Sequence, residues 1–105
     1  MLRDLVAARH EGDAQGVSAV LADDVSYWDC ERGDLAGRDA AAAALVALGP
    51  AELETIAAAD DAAVLEVRVG PRARCRSTEV YRLAGGSVVS IKAYFDPQAR
   101  QAAAR

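Results

Sequence analysis

Thirty residues, Glu11 to Ala40, carry most of the architectural information in this chain and read EGDAQGVSAVLADDVSYWDCERGDLAGRDA. Gly12 and Asp13 mark the end of one helix and the start of the next, because glycine terminates helices and an aspartate N-cap accepts backbone amides. Residues 25–29 are rich in strand formers and end in the carboxylate of Asp29. Residues 30–37, with two glycines and mixed charges, predict a loop, and the Gly-Arg-Asp sequence at residues 37–39 begins an alanine-rich helix. This order of signals indicates a specific fold and places one acid where a pocket would need it.

The flanking sequence extends this segment to an α+β pattern. Leu2, Leu5 and Val6 have the spacing of an amphipathic helix over residues 2–11, and Val17, Val20 and Leu21 form the apolar stripe of a second helix. Alternating apolar residues and Gly or Pro turns then predict strands over residues 53–56, 65–69, 73–83 and 88–95. In the last strand Val89, Ile91, Ala93 and Phe95 are expected to share one face, and residues 98–105 are expected to form a frayed tail. Helices followed by an antiparallel meander are typical of the α+β class.

Composition predicts a single domain, residues 1–105, with a thin core. Hydrophobic residues make up 52% of the chain, but much of that is alanine, with one Phe, one Trp and one Met. Extra burial through a homodimer is therefore expected. The net charge of −4 argues against nucleic-acid binding, which depends on attraction to phosphates.

The sequence gives no sign of a membrane segment, a metal or a cofactor. No window approaches the ~18 apolar residues of a membrane helix, and the charged N-terminus lacks the apolar core of a signal peptide. Cys30 and Cys75 have no CxxC spacing, and no phosphate loop or metal motif is present. We expect a cytoplasmic protein with reduced thiols.

Four arginines lie close together in the second half: Arg68, Arg72, Arg74 and Arg76. Alternate residues of a strand share a face, so they are expected to form one basic stripe. The stripe is either a solvated strand face or a surface for an acidic partner protein.

The order of these elements resembles that of the nuclear-transport-factor-two-like superfamily, which includes ketosteroid isomerases and SnoaL-like polyketide cyclases. The residues that carry the resemblance are the Gly12-Asp13 helix pair, the strand ending at Asp29, the helix start at 37–39 and the closing sequence Ala93 to Pro97. It covers roughly residues 2–97. The resemblance implies three N-terminal helices packed in a curved antiparallel sheet, a cystatin-like α+β cone with a pocket, and a homodimer formed through the sheet.

The same resemblance implies a pair of acids in the pocket. Asp29 matches the proton-shuttling aspartate of the isomerases, and Glu79 matches a second acid on the penultimate strand, whereas Leu5 stands where the isomerases have a tyrosine. Tyr81 is a candidate replacement for that phenol. The predicted pocket wall is Leu5, Trp28, Tyr81, Ile91, Ala93 and Phe95.

Two carboxyl groups in an apolar pocket disfavour each other's ionisation, so one can remain protonated as a donor while the other acts as a base. Such a pair suits proton abstraction beside a carbonyl. The sequence therefore predicts a small-molecule pocket protein with isomerase or cyclase chemistry on a hydrophobic carbonyl compound and no cofactor or metal. The alternative is a non-catalytic module that binds a ligand or forms dimers.

Each acid also has a structural interpretation. Asp29 at a strand end is suited to accept loop amides, with Arg32 or Arg38 as its ion partner. Glu79 is suited to a cross-strand ion pair with Arg68 or Arg76. His10, the single histidine, lies at a helix C-terminus, where a capping role is expected.

Overall fold

The structure is a computed structural model that describes residues 1–103, which form helices, one 3₁₀ helix and a six-stranded sheet. The helices are α1 (Leu2–His10), α2 (Ala14–Ser18), α3 (Arg38–Ala47) and α4 (Pro97–Ala103). The strands are β1 (Leu21–Asp29), β2 (Gly33–Ala36), β3 (Ala51–Ala58), β4 (Ala62–Val69), β5 (Cys75–Ala84) and β6 (Ser87–Tyr94), and the 3₁₀ helix is Pro71–Ala73.

The first two helices form where the sequence predicts them. Leu2, Leu5, Val6 and Arg9 are the buried residues of α1, spaced i, i+3, i+4 and i+7. The Asp13 side chain caps α2 by accepting the amide of Gly16 at 3.0 Å. The α1 stripe therefore includes one charged residue.

The second helix is shorter than predicted. It ends at Ser18, and Leu21 lies in β1 instead of on the helix stripe. Leu21 pairs with Val88 of β6, and the Val88 amide donates to the carbonyl of Val20 at 2.9 Å. Pairing with the last strand thus overrides the helical spacing of these apolar residues.

The sheet has the strand order β2-β1-β6-β5-β4-β3, and α1 and α3 pack against it. This arrangement confirms the α+β class. All strand pairings are antiparallel except that of β1 with β6, which is parallel. The prediction of an antiparallel sheet therefore holds for every pair but this one. These two strands are far apart in sequence, and the intervening chain easily supplies the long connection that a parallel pair needs.

Three local predictions differ from the structure. Residues 33–36, expected as loop, form β2 against β1. Residue 73, expected to begin a strand, instead ends the 3₁₀ helix Pro71–Ala73, and β5 begins at Cys75. Residues 98–103, expected as part of a frayed tail, lie in α4; residues 104–105 lie outside the described residues. Two ion-paired hydrogen bonds from Arg100 to Glu31, at 2.9 and 2.6 Å, hold α4 to the turn after β1.

A bulge changes which valine of β6 reaches the core. Leu83 pairs with Val88 and Arg82 pairs with Ser90, which leaves Val89 as the extra residue. Val88 is fully buried while Val89 is partly exposed. The prediction that Val89 shares the inner face is therefore wrong at this one position, whereas Ile91, Ala93 and Phe95 are buried as predicted.

The described chain has no helix long and apolar enough to span a membrane.

Candidate functional site

Glu79 lies on the inner face of β5 and accepts hydrogen bonds on both carboxylate oxygens. Arg9 donates from Nη1 to Oε1 at 2.6 Å and from Nη2 to Oε2 at 3.1 Å. The Tyr81 hydroxyl donates to Oε1 at 2.7 Å, and the Ser77 hydroxyl donates to Oε2 at 2.9 Å. A carboxylate has about four lone-pair sites, so the Glu79 carboxylate is saturated by its neighbours.

Arg9 reaches this carboxylate from the buried stripe of α1 and is itself fully shielded, with 0% side-chain exposure. Burial by itself lowers the pKa of Arg9, but the charge of Glu79 and the nearby phenols outweigh that effect and raise the pKa. The guanidinium therefore stays charged. Its Nε is the one buried side-chain N or O atom without a hydrogen-bond partner within residues 1–103.

Asp29 ends β1 and is saturated in the same way. Its Oδ1 accepts the backbone amides of Glu31 and Arg32, at 2.8 and 2.5 Å. Its Oδ2 accepts the Tyr27 hydroxyl at 2.6 Å and Nη1 of Arg32 at 3.3 Å. The residue is fully buried. The turn that follows β1 thus wraps its own amides around the carboxylate.

The pKa of Asp29 is shifted in the opposite direction to that expected for a buried pair of acids. Burial by itself raises the pKa of Asp29, but the hydrogen bonds from Tyr27 and from the amides of Arg32 and Glu31, together with the Arg32 charge, lower it below its usual value. Asp29 is therefore ionised at neutral pH and is a weak base.

Tyr27 donates to Asp29 and is also influenced by the charge of Glu79. Burial, the hydrogen bond to Asp29 and the negative charges of Asp29 and Glu79 raise the pKa of Tyr27. Burial and the Glu79 charge likewise raise the pKa of Tyr81. Both phenols therefore remain protonated donors, and each uses its proton on an interior carboxylate.

Most of the predicted pocket residues lie together in the interior, where they pack instead of opening a space. Leu5, Tyr81, Ile91, Ala93 and Phe95 are all buried, with Phe95 the most exposed at 9%. Trp28 does not join them. It follows the buried Tyr27 in β1 and so faces the other side of the sheet, where its ring packs on Tyr94 with centroids 5.1 Å apart.

Several surface clefts are lined by residues other than Asp29 and Glu79. One of about 270 Å³ is lined by Arg32, the ion partner of Asp29, and by alanines of α3. One of about 540 Å³ lies at the start of α3, where Asp23, Arg38 and Asp39 line it. Another of about 480 Å³ runs along α1 and β3. In the part of the chain that the structure describes, no group of three His, Cys, Asp or Glu side chains could hold a metal ion.

The observed ion pairs test the arginine partners predicted for the two acids. Asp29 pairs with Arg32 (3.3 Å), while Arg38 pairs with Asp23 (3.0 Å). The predicted pairing of Glu79 with Arg68 or Arg76 is wrong, because Glu79 faces the interior and both arginines bind Glu54 on the other face.

The predicted arginine stripe is broken. Arg68 and Arg76 pair across β4 and β5 and share Glu54, but Arg72 and Arg74 precede β5 in the 3₁₀ turn. The four side chains therefore do not form one strand face. Cys75 is buried, as expected of a small core residue, and burial raises its thiol pKa.

Three residues of the interior clusters were not singled out from the sequence: Arg9, Ser77 and Tyr27. A signal for Arg9 exists, since a charged residue on the apolar stripe of a helix needs a buried partner. Ser77 and Tyr27 each lie two residues before an acid on a strand, which places them on the same face as that acid.

Similar structures share this fold. A bacterial protein with a cystatin-like fold from Silicibacter pomeroyi DSS-3 has a TM-score of 0.81 and 19% identity, covering 98% of this chain and 81% of its own. A ketosteroid isomerase-like fold from Catenulispora acidiphila DSM 44928, solved with trimethylamine, has a TM-score of 0.81 and 14% identity, covering 98% and 90%. An epoxide hydrolase from M. tuberculosis has a TM-score of 0.73 and 19% identity, covering 97% and 84%.

At these identities the likeness shows the fold alone. No curated protein matches the sequence. The sequence profile described as "SnoaL-like domain" matches residues 2–91, which is most of the chain. This protein therefore belongs to the SnoaL-like domain family.

Proposed function

We propose that this chain is a non-catalytic binding domain, in which the interior acids stabilise the fold and the surface makes the functional contacts. The observation that carries the proposal is the saturation of both carboxylates. Glu79 and Asp29 each accept four hydrogen bonds, two on each oxygen, from groups of the same chain.

A general base needs a lone pair within hydrogen-bond reach of the proton that it removes, and a pKa near the working pH. Asp29 has neither, because its lone pairs are occupied and its pKa is lowered. A carboxylic acid that stabilises an enolate must donate its own proton. Glu79 instead accepts from the guanidinium of Arg9. The arrangement suits structure better than proton transfer.

The competing function is isomerase or cyclase chemistry on a hydrophobic carbonyl compound, with Asp29 as the base and Glu79 as the donor. The placement of both acids on the inner face, where each is a cross-strand partner of Ala93, favours it. It requires Arg32 to leave Asp29, Arg9 to leave Glu79, and the packed side chains around Leu5 and Phe95 to make room for the ligand.

Deuterium incorporation separates the two functions. Aromatic and terpenoid ketones are incubated in D₂O with wild type, and exchange beside the carbonyl is followed by NMR. The expected result is no exchange above the buffer rate. Exchange that is lost in Asp29→Asn and retained in Arg38→Gln would establish catalysis by Asp29 and overturn the proposal.

The partner we propose is a second copy, bound through the outer face of the sheet. Trp28 packs on Tyr94 there, and Tyr94 and Val64 are large apolar residues with 46% and 42% exposure. Lys92 and Glu66 lie on the same face, on strands either side of β5, so the patch carries both charges that an isologous contact can pair. The thin alanine-rich core is a further reason to expect added burial.

Sedimentation velocity tests the pairing. Wild type and Ala43→Glu, an exposed site on α3, are expected to sediment as dimers, and Tyr94→Glu as a monomer. A monomeric wild type at high micromolar concentration would contradict the dimer. We further propose a cytoplasmic location, which the two free cysteines support.

A further inference from the structure

A small surface cavity lies outside the Asp29 and Glu79 clusters. It is found where the C-terminal end of α1 meets the start of β3 and the turn at residues 70–72. It has a volume of about 280 Å³ and is lined by His10, Pro50, Glu52, Gly70 and Arg72. His10 and Glu52 also line the neighbouring groove of about 480 Å³, whose wall combines Val6, Ala7 and Leu53 with the charged residues Arg3 and Glu11. These two adjoining spaces are called the α1–β3 cleft below.

Two glycines bring the walls of the cleft together. A Cβ atom on Gly49 would lie 2.7 Å from the Cα of Gly70, closer than real side chains approach. The Gly70 amide donates to the carbonyl of Pro50 at 3.0 Å. The backbone before β3 and the turn after β4 therefore cross at a distance that glycine alone permits.

Arg72 projects from an unfavourable backbone conformation at the rim of this cavity. It is the one non-glycine residue with positive φ in the described chain, at φ 62° and ψ 18°. Left-handed backbone is disfavoured for a residue with a long side chain, and such residues cluster at functional sites. The positive φ of Arg72 at the cavity points to a functional role for its guanidinium.

His10 forms another wall, and its ring is held in place. Nδ1 lies 3.1 Å from the carbonyl oxygen of Ala51. Because a carbonyl only accepts, Nδ1 carries the hydrogen, and Nε2 is the ring nitrogen left for other contacts. The expected capping role at the C-terminus of α1 is therefore replaced by a link from α1 to β3.

The charges of the cleft are unpaired within residues 1–103. Arg72 and Glu52 line the same small cavity but form no ion pair with each other or with other described residues, whereas Glu54, Asp23 and Glu31 each bind an arginine. The small cavity thus presents one guanidinium and one carboxylate to its contents. The groove beside it adds the apolar side chains of Val6, Ala7 and Leu53, with Arg3 and Glu11 at its edge.

We propose that the α1–β3 cleft binds a small apolar α-amino acid. The ligand carboxylate binds Arg72, whose planar guanidinium suits two parallel hydrogen bonds. The ligand ammonium binds Glu52, and the aliphatic side chain of the ligand lies along Val6, Ala7 and Leu53. None of these residues forms a hydrogen bond with Asp29 or Glu79 in the described chain, and none belongs to the Trp28–Tyr94 patch of the outer face, so the site can be tested separately from the proposed function.

The single histidine supplies the probe for a test. His10 gives the one imidazole signal in a ¹H–¹³C spectrum, so no assignment is ambiguous. Wild type is titrated with L-leucine, with 4-methylpentanoate, which lacks the ammonium, and with 3-methylbutylamine, which lacks the carboxylate. Leucine is expected to shift the His10 and Leu53 signals saturably, and each analogue to bind about tenfold more weakly or worse, since each loses one charge-assisted contact.

Variants at two neighbouring arginines complete the test. Arg72→Gly removes the guanidinium and also relieves the left-handed backbone, so it is expected to lose leucine binding while Tm rises. Arg74→Gln removes the same charge two residues away and is expected to bind leucine as wild type does. A wild type without saturable shifts, equal binding of all three compounds, or unchanged leucine binding in Arg72→Gly would each overturn the proposal.

Discussion

Arg9 and Glu79 form a bidentate ion pair at the centre of the domain, with N–O distances of 2.6 and 3.1 Å and no solvent exposure of either side chain. Bringing two charges out of water costs free energy that their mutual attraction offsets only when the remaining hydrogen-bond sites are also filled. Ser77 and Tyr81 fill those of the carboxylate. The pair therefore acts as a unit. Removing one of the two side chains is expected to lower the free energy of unfolding more than replacing both.

Arg9→Met is expected to lower the free energy of unfolding by about 3–5 kcal/mol, because it leaves the Glu79 charge buried without its partner. Urea unfolding followed by the fluorescence of Trp28, the single tryptophan, measures the change. The matched control is Arg38→Met, whose pair with Asp23 is exposed at 46% and 86% and is expected to contribute about 0–1 kcal/mol.

The double variant Arg9→Met/Glu79→Leu is expected to be more stable than Arg9→Met alone, because no uncompensated charge remains in the core. A double variant as unstable as the sum of the two single variants would show that the pair does not act as a unit.

Tyr27→Phe removes the hydroxyl that donates to Asp29 at 2.6 Å. Because hydrogen bonds to charged groups contribute about 1.5–3 kcal/mol, a loss of stability in that range is expected. The same change is expected to raise the pKa of Asp29, which a ¹³C titration of the carboxyl group measures. Tyr94→Phe, on the exposed outer face, is the control and should leave that pKa unchanged.

Asp29 also sets a pH dependence. Burial raises its pKa, but the hydrogen bonds from Tyr27 and the turn amides bring it below the unfolded value of 3.8. A lowered folded pKa contributes stability that is present above the unfolded pKa and is lost as pH falls through the folded pKa. The stability gap between wild type and Asp29→Asn is therefore expected to narrow from about pH 5 to about pH 2. A gap that stays constant over this range in urea unfolding would contradict the shift.

Gly49→Ala tests the crossing of the two backbone segments. Gly49 and Gly37 have similar φ angles, +101° and +96°, but a Cβ on Gly37 meets nothing within 4 Å. Gly37→Ala is expected to cost only backbone strain, about 1–3 kcal/mol. Gly49→Ala is expected to cost about 1–3 kcal/mol more through the clash with Gly70. Equal losses in thermal or urea unfolding would mean that the close approach is not a constraint.

The fold could be predicted because its signals are local. Gly12-Asp13, the strand formers before Asp29 and the Gly85-Gly86 turn each specify backbone geometry within a few residues. The bulge at Val89 and the strand state of Leu21 could not, since both depend on how β6 pairs with distant strands. The hydrophobic periodicity of a segment does not identify the strand with which that segment pairs.

The state of the two acids could be predicted only in part. Strand parity places Glu79 on the inner face, as the structure shows. What saturates it is Arg9, which is 70 residues away in sequence and lies on another element. Two acids in an apolar pocket predict a shared proton, whereas the donors from Tyr27 and the turn after β1 favour the charged form of Asp29. The lone pairs of Glu79 are filled by Arg9, Ser77 and Tyr81. The choice between chemistry and structure therefore rests on long-range contacts.

The most direct test of the saturated interior is the exchange rate of the tyrosine hydroxyl protons in water, measured by NMR. Tyr27 and Tyr81 each donate to a buried carboxylate, while Tyr94 is 46% exposed and serves as the internal reference. Slowly exchanging hydroxyl signals for Tyr27 and Tyr81, unchanged by added hydrophobic ketones, are expected beside a rapidly exchanging Tyr94. Fast exchange at all three tyrosines, or loss of the Tyr27 and Tyr81 signals on addition of a ketone, would contradict a closed and structural interior.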